Sequence, residues 1–98
     1  MNKKKTIEII ARNKERLEPF QLKTLYLFGS VVRDEAVPGS DIDIMVEFKP
    51  EARIGLFGMV RLQRILSEIL KSPVDLTTPD SLHKALKENI LREAVRAA

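Results

Sequence analysis

The chain has 98 residues, 44% of them apolar and 32% charged, a composition that sustains one folded core and excludes a disordered chain. It has no cysteine, which rules out disulfides and thiolate metal centres, and no apolar run approaches the ~20 residues that span a bilayer. The net charge of +3 owes part of its excess to Lys3-Lys4-Lys5, which reads as a solvated basic end. No aromatic side chains interleave with those lysines, so single-stranded nucleic acid is not expected as a direct ligand. The opening MNKKKTIEII lacks the apolar stretch of a signal peptide, and a cytoplasmic location away from membranes is expected.

In chain order, Ile7, Ile10, Ala11 and Leu17 fall at helical spacing within residues 4–18, and Pro19 ends that pattern. TLYLF (24–28) is a short apolar run stopped by Gly29 and predicts a buried strand. SVVRDEA predicts a short helix or helical turn, and the Pro-Gly pair of AVPGS (36–40) predicts a turn. DIDIMVEF (41–48) alternates: Ile42, Ile44, Val46 and Phe48 share one face, and Asp41, Asp43, Met45 and Glu47 the other. Apolar positions 59, 62, 66, 69 and 70 predict a helix over 56–70, broken by Ser72-Pro73. VDLTT (74–78) predicts a short strand. Thr78 and Pro79 then suit the start of a last helix, which Leu82, Leu86, Ile90 and Ala94 carry nearly to residue 98. The order α-β-α-β-α-β-α predicts one small α/β (α+β) domain over residues 1–98, a β-sheet packed against helices.

Aspartate is a poor strand residue, yet two stand at alternate positions of one strand. Asp41 and Asp43 point the same way with Cα atoms about 6.5 Å apart. Two carboxylates ~6 Å apart repel by about 3 kcal/mol at an effective dielectric near 20. A divalent cation offsets that repulsion, and hard oxygen donors select Mg2+ or Mn2+. Gly29-Ser30 ends the preceding strand and opens a turn whose N–H groups and Ser30 hydroxyl can hold phosphate oxygens. Arg33 lies three residues on, on the same side of that turn, and Ser40 stands just before Asp41. A phosphate cradle beside a metal-holding pair is the arrangement that phosphoryl or nucleotidyl transfer requires.

The stretch GSVVRDEAVPGSDIDI, with Gly-Ser, ten intervening residues and Asp-x-Asp, resembles the signature of the DNA polymerase β-like nucleotidyltransferases. Over most of the chain it is similar to the minimal nucleotidyltransferases (MNT proteins), antitoxins paired with HEPN-domain toxins. The resemblance implies a mixed β-sheet in the polymerase β-like fold, ATP as substrate and Mg2+ or Mn2+ as cofactor. It also implies a third carboxylate, for which Asp75 is the matching position; Asp80 competes, but the start of a helix already explains an acidic residue there. Catalytic and metal-ligating roles thus fall to Asp41, Asp43 and Asp75, and nucleotide contacts to Gly29, Ser30, Arg33 and Ser40. The expected reaction moves AMP to a hydroxyl, a tyrosine by resemblance, of a HEPN toxin within a hetero-oligomer. Asp34 departs from the pattern, since many relatives have glycine there. The alternatives are an antitoxin that acts by binding alone, a transferase acting on a small molecule such as an aminoglycoside, and a nucleic-acid-binding module. His83, the single histidine, reads as a helix residue outside the chemistry.

Overall fold

The computed structural model describes residues 2–33, 40–81 and 84–98. Asp34, the Ala36–Gly39 part of the expected turn, Leu82 and His83 lie outside the described residues. Helix α1 (Lys3–Arg12) is capped by Asn2, whose Oδ1 accepts from the Lys5 N–H at 2.8 Å. The short α2 (Lys14–Leu17) and a 3-10 turn (Glu18–Phe20) carrying Pro19 follow. Gln21, at φ 53°, turns the chain into β1 (Leu22–Phe28). A 3-10 turn (Gly29–Val31) precedes β2 (Ile42–Phe48), α3 (Leu56–Leu70) and β3 (Val74–Thr77). A further 3-10 turn (Pro79–Ser81), α4 (Lys84–Glu93) and β4 (Val95–Arg96) complete the order.

The sheet has strand order β3-β2-β1-β4 and is mixed. β1 pairs antiparallel with both β2 and β4, whereas β2 and β3 run parallel, joined through α3. One sheet face supplies Leu25, Leu27, Ile42, Ile44, Val46 and Val74 to the core, and Ile10, Leu17, Leu62, Leu66 and Leu70 of the helices close over it. Each such side chain contributes about 1.5–3 kcal/mol by leaving water. Met45 is also fully buried, but it shares the other face with Asp43 and stands outside that cluster. The C-terminal segment makes a partial second layer there, with the Pro79–Ser81 turn against β2 and α4 against β1.

Two elements differ from expectation. The last helix does not start at Pro79: a tight turn comes first, which proline's fixed φ suits, and α4 begins at Lys84. Nor does it run to the end. Val95 and Arg96 pair with Leu27 and Tyr26, and the Ala97 N–H donates to the Leu25 carbonyl at 2.8 Å. The backbone of β1 needs partners on its second edge, and that demand overrides the helical apolar stripe.

α3 shows both extremes of burial along one helix: Leu66 is 0% exposed and Phe57 80%. Leu66→Ala should therefore cost about 2–5 kcal/mol in urea unfolding, whereas Phe57→Ala should change stability by less than about 0.5 kcal/mol.

Candidate functional site

The site forms where β1 ends and β2 begins. Phe28 and Asp43 are register partners, so the turn after β1 opens beside the Asp43 side chain. Gly29 takes φ +75°, and the Val32 N–H closes the turn by donating to the Gly29 carbonyl at 3.2 Å. A Cβ on Gly29 would run into Asp43 Oδ2 and lie 3.2 Å from Asp43 Cγ. Glycine is thus required twice, for its left-handed backbone and for the room its missing side chain leaves to a carboxylate. Ser30, half-buried, sits within that turn.

β3 brings the next acid. Asp75 is the parallel register partner of Asp43, on a strand about 4.8 Å away. Asp41 directly precedes β2, two residues before Asp43. Asp41 and Asp75 are exposed, and Asp43 is half-buried. The competing Asp80 lies in the Pro79–Ser81 turn and lines a separate recess with Val46, Phe48 and Lys87, toward the other end of β2. The strands therefore set Asp75, and not Asp80, beside Asp43. Ser40 is half-buried immediately before Asp41.

Charge confirms that these groups feel one another. The Asp43 carboxyl is held above its ordinary pKa, first by burial, then by the negative charges of Asp75 and Asp41; Arg33 opposes the shift. Among the described residues, no three acidic or histidine side chains are arranged around a point that could hold a metal ion. The strands set Asp41, Asp43 and Asp75 side by side without gathering their oxygens into one coordination sphere. The donor set itself consists of hard oxygens and suits Mg2+ or Mn2+, and the repulsion at Asp43 is of the kind a bound cation relieves.

Arg33 reaches toward this cluster from the turn after β1. Its Nη1 also donates to Glu93 Oε2 at 3.1 Å, in a pair about half exposed on both sides (45% and 51%). Glu93 carries no local signal in the sequence: it is one of several charged residues late in α4, 60 positions from its partner. A concavity of about 740 Å3, lined by Ile10, Lys14, Leu22, Lys23 and Lys49 among others, lies at the opposite end of the β1–β2 pair, away from the carboxylates.

Two measurements follow from this geometry. Gly29→Ala should lower stability by about 1–2 kcal/mol from the left-handed backbone alone, with a further loss from displacing Asp43. Paired with Asp43→Ala it should lose only the backbone part, so a double-mutant cycle on urea midpoints should show coupling. The second concerns pH. A carboxyl whose folded pKa is raised binds its proton more readily in the folded chain. Asp43 therefore subtracts stability as pH rises from its ordinary value through the raised one, and that cost persists at neutral pH. In chelator-containing buffer Asp43→Asn should raise Tm at pH 7. The gain should vanish at a pH below the ordinary carboxylate pKa of about 3.9.

Known proteins resemble the chain in sequence and in fold. The nucleotidyltransferase domain family matches residues 6–97. The chain is 37% identical over 87 residues to a Thermococcus cleftensis protein named protein adenylyltransferase MntA, covering 89% of this chain and 86% of that one. Its fold is similar to a solved structure described as a candidate minimal nucleotidyltransferase, with TM-score 0.75, 30% identity, and coverage of 97% and 95% of the two chains. It is also similar in fold, with TM-score 0.67, 22% identity and coverage of 95% and 71%, to a chain of a complex between a tri-AMPylated Shewanella oneidensis HEPN toxin and its MNT antitoxin.

Proposed function

Because the chain belongs to the nucleotidyltransferase-domain family, we propose that it transfers AMP from ATP to a tyrosine hydroxyl of a HEPN-domain toxin and so acts as that toxin's antitoxin. The observation that carries this reading is the contact between Gly29 and Asp43: the serine turn is built directly against a carboxylate that already feels two others. Two relatives support the choice of acceptor. The Thermococcus cleftensis protein is named a protein adenylyltransferase, and the Shewanella oneidensis toxin carries AMP in complex with its MNT antitoxin.

In this reading Asp41, Asp43 and Asp75 hold Mg2+, or Mn2+. The ion, when bound, supplies neutralising charge for the triphosphate and makes the acceptor hydroxyl more acidic. The chain's own groups do the rest. The N–H groups of the Gly29–Val31 turn and the Ser30 hydroxyl hold the terminal phosphates, and Ser40 lines the entry to the carboxylates. Arg33 adds positive charge at the same place once phosphate competes with Glu93 for its guanidinium. The acceptor oxygen attacks the α-phosphorus. A new O–P bond forms, the bond to pyrophosphate breaks, and the hydroxyl proton passes to a carboxylate, the role assigned to exposed Asp75. Positioning and charge stabilisation account for the acceleration.

A second reading draws on the carboxylates that stand side by side without a shared coordination sphere. In it the chain neutralises the toxin by binding alone. The two separate in one assay. With labelled ATP, Mg2+ and the HEPN partner, the wild-type chain should label the partner, and Asp43→Asn should lower the rate at least about 100-fold. Neutralisation of the toxin without any label would establish the binding reading, and label on a small-molecule acceptor alone would overturn the choice of a protein substrate.

A further inference from the structure

α3 keeps a large apolar surface out of the core. Leu56 is 77% exposed, Phe57 80% and Val60 46%, although Leu62, Leu66 and Leu70 of the same helix are fully buried. Isolated exposed leucines are common, but three large apolar side chains within five positions of one helix are not scatter. Phe57, Val60, Arg61 and Arg64 recur at spacings of three or four and form one stripe on the outer face, the spacing at which another helix's ridges pack.

The charge around that stripe has one sign. Arg53, Arg61 and Arg64 are exposed and make no ion pair among the described residues. The first turn of α3 has no acidic residue, and Gly55 provides no capping side chain, so the positive end of the helix adds to the arginines. Glu68, the one acidic residue in α3, is already engaged by Arg16 at 3.2 Å.

The stripe also leads somewhere. A groove of about 280 Å3, lined by Val60, Gln63, Arg64, Ser67, Pro73 and Val74, runs from α3 to the edge strand β3. Val74 immediately precedes Asp75, so the groove ends at the strand that carries that carboxylate, on the strand's opposite face. α3 has 15 residues and is about 22 Å long, long enough to seat a partner element that spans from the apolar patch to that groove.

We propose that the outer face of α3, from Phe57 through Val60, Arg61 and Arg64 to the groove at Val74, is the surface on which the acceptor protein docks, and that it takes an acidic amphipathic helix of that protein. The assignment rests on the proposed function for the identity of the partner. Apolar residues of the incoming helix cover Phe57 and Val60, its carboxylates meet the arginines and the open end of α3, and its far end enters the groove at β3.

The test measures binding and labelling separately, on the full chain with its HEPN partner. Phe57→Glu and Arg61→Glu should each weaken partner binding at least about tenfold, a loss typical of a central interface residue. They should raise the KM for the partner while leaving the KM for ATP and the circular dichroism spectrum unchanged. Arg61→Ala should also flatten the salt dependence of binding. Partner affinities within twofold of wild type for both charge variants would overturn the proposal, whether or not the wild type labels. A chain that is dimeric alone, and that Phe57→Glu makes monomeric without loss of partner binding, would assign the face to a second copy and overturn it as well. Weakened binding with no label on the partner in any variant would leave the docking surface standing and remove only the transfer reaction.

Discussion

The contact of the Asp43 carboxylate with the backbone of Gly29 is the constraint on which the rest of the site depends. Any side chain at residue 29 would occupy the place of a carboxylate oxygen, and the φ of +75° already disfavours one. Because Phe28 and Asp43 are register partners, the contact ties the end of β1 to the start of β2 at one spot. The serine turn and the acidic strand therefore cannot shift relative to one another. The parallel pairing of β2 with β3 extends this rigidity to Asp75. The serine turn after β1, Asp41 just before β2, Asp43 within it and Asp75 on β3 are thus set by three adjacent strands, and strands position groups more tightly than loops do.

Such a site has a cost in stability. Burial and two neighbouring negative charges all disfavour the ionised form of Asp43. The rest of the molecule compensates with an apolar layer beneath the same strands, where Ile42, Ile44 and Val46 alternate with the acidic positions and are fully or almost fully buried. One strand thus does two jobs through its period of two. Its lower face is core, and its upper face collects the charge to which the proposed function assigns a cation and a triphosphate.

Much of this was legible in the residues. The alternation of DIDIMVEF specifies β2 and both of its faces, and the stripe between Leu56 and Leu70 specifies α3 to its observed ends. The spacing from Gly29-Ser30 to Asp41 marks the turn and the acidic strand as one unit. Other features depend on contacts that local pattern does not encode. β4 is two residues long, has no period of its own, and exists because β1 has a second edge to satisfy. The pairing of Arg33 with Glu93 joins positions 60 apart. Gly29 is legible as the opening of a turn, whereas only the folded chain shows the Asp43 carboxylate that leaves no room for a side chain there. The resemblance prefers Asp75 to Asp80, and it is strand register that sets Asp75 beside Asp43.

The tail that pairs with β1 has an effect beyond completing the sheet. With Val95–Ala98 zipped along that side, β3 is left as the open border of the sheet, and there the Gln63 amide already occupies the Val74 carbonyl at 2.8 Å. Neither border offers a long bare ribbon for another chain to extend. A chain that exposes Leu56 and Phe57 is thereby guarded against the commonest route to fibres, because that apolar surface lies on a helix and not along a strand edge.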